Sequence, residues 1–188
     1  WKKFKTREFF FDETFADWMT AAKVLLISGF NAMQSEQLLL DRLAAVLRML
    51  EKLPKAAQVY CEDAGFYNPR FHQLLLATLA QKITIFSLNE DELQAHLGRK
   101  LDLLDAEQLK AALADLRQLI PVPILVVHSM CWALAYGEAA PRMAEALKGG
   151  VTMATTRFRY ADDFTVAHYQ AIEQCAPNPA GARFAAAL

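Results

Sequence analysis

The sequence predicts an α/β fold, a parallel sheet flanked by helices in three layers, and three observations carry the prediction. Short runs rich in β-branched and aromatic residues alternate with longer stretches of helical period, the pattern that successive βαβ units leave in a sequence. With 188 residues, 54% of them hydrophobic, the chain is near the size of one domain and holds apolar material for one large core. No internal repeat, low-complexity tract or long linker interrupts the alternation, so residues 1–188 read as a single unit.

The predicted strands are residues 4–11, 23–28, 58–62, 82–88, 124–129 and 151–158. Ser35 is placed to cap a helix reaching about residue 53, in which Leu38, Leu39, Leu43, Val46, Leu47 and Leu50 form one apolar stripe with charges opposite. Asn68-Pro69 pairs an N-cap with proline at the first helical position and opens a helix over 69–81. Asp105-Ala106-Glu107-Gln108 begins a capped helix that Pro121 and Pro123 stop by residue 119. A helix over 137–148, closed by Gly149-Gly150, and another over 164–174 complete the series.

Chemistry concentrates where the strands end. In the segment 83–92 an apolar strand runs straight into an acidic helix start carrying Asn89-x-x-Glu92. That spacing fits a capping box, in which the two side chains satisfy orphan amides. It also puts oxygen ligands at a strand's carboxyl end, where open α/β sheets bind ligands and where a hard cation such as Mg²⁺ is held through carboxylates, water and phosphate. Glu62 closes the strand 58–62 and adds a second carboxylate to the same sheet edge, an arrangement that is costly without a cation or donor between the acids. Ser28-Gly29 ends another strand, where a glycine lets backbone amides approach a substrate hydroxyl or phosphate; a tight turn without a ligand has the same sequence. His128 and Trp132, at the end of the strand 124–129, suit a flat base or sugar, and equally a packed core. Thr155, Thr156, Arg157 and Arg159 suit an anion or a carboxylate of the protein itself.

Composition excludes several classes. Twenty basic side chains against 21 acidic ones leave a net charge of -1 and no field for a nucleic acid. The one basic cluster, Lys2, Lys3, Lys5 and Arg7, reads as a solvated edge strand. Cys61, Cys131 and Cys175 form no disulfide framework and no Cys-x-x-Cys zinc pair, which fits a reducing cytoplasm. No apolar run has the length of a membrane span, and no signal-peptide core follows the charged start. The phosphate-cradling loop Gly-x-x-x-x-Gly-Lys-Ser/Thr, the dinucleotide fingerprint, His-Glu-x-x-His and Gly-x-Ser-x-Gly are all absent. A start at Trp1 and an end at Ala185-Ala186-Ala187-Leu188 read as a fragment of something longer.

Taken in order, these elements resemble the ADP-dependent sugar kinases, the phosphofructokinase/glucokinase family of the ribokinase-like fold. Ser28-Gly29-Phe30-Asn31 is similar to the family's Ser-Gly turn, Tyr60-Cys61-Glu62 to its His-x-Glu strand end, and Asn89-Glu90-Asp91-Glu92 to its Asn-Glu-x-Glu. His128-Ser129 with Trp132 resembles a His-Thr element, and Ala154-Thr155-Thr156-Arg157 an Ala-Thr-Arg strand. The resemblance implies that Asn89 and Glu92 organise the water shell of Mg²⁺, with Glu62 in support. It sets His128 and Trp132 near the nucleotide, Ser28 and Gly29 near the substrate, and Arg157 among the nucleotide-binding residues. Arg7, in a segment similar to the family's Asn-Arg-Phe strand, is a further candidate for the phosphates. The implied activity is Mg²⁺-dependent transfer of a phosphoryl group from ADP to a sugar or sugar-phosphate hydroxyl in the cytoplasm. Two departures stand out: Tyr60 replaces the family's histidine, and the Gly-x-Gly-Asp element that supplies the catalytic base is absent, as is most of the sugar-gripping lid. A noncatalytic ribokinase-like domain that binds a nucleotide or a protein partner is the alternative.

Overall fold

The computed structural model describes residues 18–188 and is built on five strands: β1 (Val24–Ile27), β2 (Gln58–Glu62), β3 (Ile85–Asn89), β4 (Ile124–His128) and β5 (Ala133–Tyr136). They lie in the order β1-β2-β3-β4-β5, the first four parallel and β5 antiparallel to β4. The strand expected at residues 4–11, with Arg7 and the basic cluster, lies outside the described residues.

The connections are α1 (Glu36–Leu50), α2 (Pro69–Leu79), α3 (Glu90–Leu97) with α4 (Ala106–Leu119), and they begin where the sequence places their caps. Ser35, Asn68, Asn89 and Asp105 each accept hydrogen bonds from backbone amides of the first turn, satisfying donors that have no partner inside the helix. Leu39 and Leu43 of α1, Leu75 and Leu79 of α2, Leu93 of α3, and Leu109, Leu113 and Leu116 of α4 share one apolar cluster with Cys61, Phe86, Leu88, Leu125 and Val127 of the sheet. All four helices therefore cover one sheet face, as a sequential strand order joined by crossovers of a single hand requires. The opposite face buries Ile85, Ile124 and Val126 against Met143 and Leu147. Both faces of β3 and β4 are thus filled, which is why these strands read as continuous apolar runs rather than alternating ones.

The carboxyl-terminal third departs from expectation. Residues 151–158 are helix, not strand: α5 (Ala144–Tyr160) runs through Gly149-Gly150, where a stop was expected. Two mid-helix glycines disfavour a helix by roughly 1 kcal/mol each, but packing outweighs propensity here. Thr152 and Thr156 are buried one turn apart, and their hydroxyls donate back to the carbonyls of Lys148 (2.8 Å) and Thr152 (2.7 Å). The helix expected over 137–148 is instead a short 3₁₀ turn, Ala140–Met143, leading into α5. α6 (Val166–Glu173) follows as expected, capped by Thr165, and α7 (Pro179–Ala187) is capped by Asn178. Among the described residues no helix is long and apolar enough to cross a membrane.

Candidate functional site

Parallel strands that end level with one another bring their last residues together. In register, Glu62 of β2 faces Ser87 of β3, and Asn89 of β3 faces His128 of β4. Side chains alternate along a strand, so Tyr60, Glu62, Ser87, Asn89 and His128 all project on the face opposite Cys61, Leu88 and Val127. His128 Nε2 lies 3.3 Å from Glu62 Oε1. Burial pushes the Glu62 carboxyl up, but His128, with the Ser87 and Tyr60 hydroxyls near it, brings it below its ordinary value. Glu62 in turn raises the His128 imidazole against the opposing effect of burial, and Glu90 and Glu92 add to the rise. The Ser87 hydroxyl is wholly buried and has no hydrogen bond of good geometry.

Asn89 and Glu92 form a complete capping box. Asn89 Oδ1 accepts from the amides of Asp91 (2.9 Å) and Glu92 (3.0 Å), while Glu92 Oε2 accepts from the Asn89 amide at 2.9 Å. The cap engages one carboxylate oxygen of Glu92 and fixes its position above the strand ends. Burial raises the Glu92 carboxyl, the Asn89 amide opposes this, and the negative fields of Asp63 and Glu62 raise it further. Three acids thus sit close enough at one sheet edge to feel each other, the condition under which a cation is favoured between them.

A narrow cleft, with an enclosed volume of only about 10 Å³, adjoins Glu62 and Asp63. Its walls include Ser28, Gly29, Phe30, Glu62, Asp63 and Phe66, so the β1 turn and the β2 terminus face the same space. Gly29 has φ +81° with nothing near where a Cβ would be, so the turn needs glycine for its left-handed backbone and not for room.

Two expected members of the site are elsewhere. Trp132 is 9% exposed, donates its indole N–H to the Leu103 carbonyl (2.8 Å) and stacks on Phe184 with ring centroids 5.0 Å apart. It is a core residue and not a platform for a base, because the turn from Ser129 to Trp132, closed by Ser129 N–H donating to Trp132 O at 2.8 Å, folds the chain back into β5. Arg157 lies on α5 rather than at a strand end, and its Nε makes an exposed ion pair with Asp162 Oδ1 at 2.8 Å.

The sequence also concealed a cluster beside the cleft. Asp63, just past β2, is buried between His72 of α2 and His96 of α3, with Nε2 to carboxylate oxygen separations of 2.9 and 2.8 Å. Burial raises the Asp63 carboxyl, but the two histidines, with the Ala64 amide, outweigh it and hold the group at about 2. Burial carries the neighbouring Cys61 thiol the other way, up to about 12, which makes it a packing residue and no nucleophile.

No protein-family model matches the chain, and no curated protein matches it. Its architecture is nonetheless a known one. A sequential, mainly parallel sheet flanked by helices is shared with a 2-dehydro-3-deoxygluconokinase from Thermotoga maritima, similar in fold at TM-score 0.56 and 10% identity, over 85% of this chain and 62% of that one. The likeness of fold extends to phosphofructokinases. A phosphofructokinase from Pyrococcus horikoshii OT3 crystallised with AMP superposes with TM-score 0.73 at 14% identity, covering 92% of this chain and 43% of its own. The last common ancestor of ADP-dependent phosphofructokinases from Methanosarcinales does so with TM-score 0.73 at 13% identity, covering 93% and 41%. The chain therefore spans less than half the length of these phosphofructokinases.

Proposed function

We propose that this chain forms the nucleotide- and metal-binding core of a Mg²⁺-dependent phosphotransferase that moves the terminal phosphoryl group of ADP to a hydroxyl of a sugar or sugar phosphate. The observation that supports the reading is the convergence of Glu62, Glu92 and His128 at the carboxyl ends of adjacent parallel strands, beside a cleft reached by Ser28 and Gly29. The acids fit a hard cation: oxygen donors, partly buried, whose mutual repulsion an ion relieves. Glu62 and Glu92 would hold Mg²⁺ through its water shell, and Asn89, committed to the cap, would hold Glu92 in place. Bound Mg²⁺ supplies charge neutralisation on the phosphates. His128 would donate to an anionic ligand, with Glu62 keeping the imidazole oriented, and Ser28 and Gly29 would face the acceptor. Most of the rate in such a transfer comes from positioning and electrostatics.

The 188 residues contain no Gly-x-Gly-Asp, and Tyr60 stands where a histidine is expected, so nucleotide binding without turnover is the second reading. Calorimetric titration with Mg·ADP, beside a coupled assay with sugar and sugar-phosphate acceptors, separates the two. Heat of binding fits both; turnover that appears once Tyr60→His is joined to a restored Gly-x-Gly-Asp element supports the kinase, and heat without turnover even then supports the binding domain. No heat from a well-folded sample removes both. Glu92→Gln retains an acceptor for the cap and should keep the fold, yet weaken Mg·ADP by at least about tenfold while leaving the affinity for metal-free ADP little changed.

A further inference from the structure

We infer that Asp63, His72 and His96 form a second metal site, one for a borderline transition ion of the Zn²⁺ class, which ties the end of β2 to α2 and α3. The inference stands apart from the kinase reading, since its ligands are none of those assigned to Mg²⁺. One oxygen or nitrogen donor from each of the three residues lies within 4.8 Å of the others. Donors bound to a single Zn²⁺ at about 2.0–2.1 Å are roughly 3.3 Å apart, and the two histidine nitrogens here lie 2.9 and 2.8 Å from the Asp63 carboxylate oxygens.

The orientation of His72 favours a shared ion over a simple ion pair. Its Nε2 lies 2.9 Å from Asp63 Oδ1, yet the ring N–H is misaligned for a hydrogen bond, and the nitrogen is buried without any hydrogen-bond partner. A nitrogen in a pair bonded only to a carboxylate points its proton at the oxygen. Ligands of one metal point instead at a common centre and lie side by side. A buried ring nitrogen left unsatisfied is costly, and a metal ion removes the cost.

The surroundings suit a structural site. The Asp63 carboxylate is oriented by the Ala64 amide, which donates to Oδ1 at 2.8 Å. His72 stacks on Phe66 with centroids 4.6 Å apart and planes 9° from parallel, and Phe86 meets the edge of His96 at 6.4 Å. Oriented first ligands in an apolar shell are what hold an ion firmly. Two imidazoles with one carboxylate select Zn²⁺, Co²⁺, Ni²⁺ or Fe²⁺ over Mg²⁺. A fourth position is left for water, and Asp63 itself lies in the wall of the cleft.

The test uses the chain stripped with a chelator and then titrated with Zn²⁺ or Co²⁺. The expected result is one equivalent taken up with a rise in Tm, and a visible Co²⁺ spectrum lacking the near-ultraviolet thiolate band that Cys61 would give. His72→Gln and His96→Gln should each weaken uptake by at least about tenfold, while His168→Gln leaves it unchanged. Failure of the folded wild type to bind one equivalent overturns the proposal, as does uptake indifferent to His72 and His96. If a variant does not fold, ring ¹⁵N shifts of the wild type decide: Zn²⁺ must move two of the four histidines, and a response from none or from all refutes the site.

Discussion

Asp63→Asn is expected to destabilise the metal-free protein by about 2 kcal/mol at neutral pH, and to lose that effect in strong acid. Asp63 is 7% exposed, and asparagine keeps its shape while removing the charge that faces His72 and His96. The carboxyl is held at about 2 in the fold against 3.8 when free, and a separation of nearly two units corresponds to about 2 kcal/mol. Because the folded value is the lower, the stabilisation is fully present above 3.8 and disappears as pH falls through 2. For a chain of this size that is a drop in Tm of roughly 4–8 °C at pH 7. Thermal unfolding of the two proteins at pH 7, 4 and 2 reads it directly. A gap that stays constant down to pH 2 would show that the carboxylate's charge contributes nothing.

The amino-terminal two thirds of the described fold was legible because local signals and tertiary demands agree there. Ser35, Asn68, Asn89 and Asp105 are caps in sequence and in structure, and the runs that became β1 to β4 are short, apolar and bounded by turns. Agreement fails after β4. Val151 to Phe158 is rich in β-branched and aromatic residues and follows two glycines, so it reads as a strand; burial of Thr152 and Thr156 on one helical face decides otherwise. Conversely β5, Ala-Leu-Ala-Tyr, has little strand propensity and owes its pairing to the turn that begins at Ser129. The site divides the same way. Glu62, Glu92 and His128 each end a strand or begin the next helix, so a parallel sheet necessarily gathers them. His72 sits in the first turn of α2 and His96 in the last turn of α3, and only the way these helices pack brings both to Asp63.

A pair of glycine substitutions of opposite sign tests how far packing overrides propensity in the less legible third. Both Gly150 and Gly181 are helical, so alanine at either should gain up to about 1 kcal/mol from backbone propensity alone. Gly150 has no atom near where a Cβ would stand, and Gly150→Ala is expected to stabilise by roughly that amount. At Gly181 the added methyl would overlap the backbone carbonyl oxygen of Cys131, which cannot rotate away as a side chain can. Helix α7 must then lift from the β4–β5 turn, and the Phe184 ring it carries leaves Trp132. Overpacking of this kind costs about 1–3 kcal/mol, and loss of the stack adds roughly 0.5–1.5, together more than the propensity gain. Gly181→Ala should therefore destabilise by about 2 kcal/mol and shift the tryptophan emission to the red as Trp132 meets water. Urea unfolding of the two variants gives the signs, and stabilisation by both would mean that α7 is not seated against Cys131. The consequence reaches the candidate site through β4, since the turn that α7 braces directly follows His128, and an unbraced turn frees the imidazole that Glu62 orients.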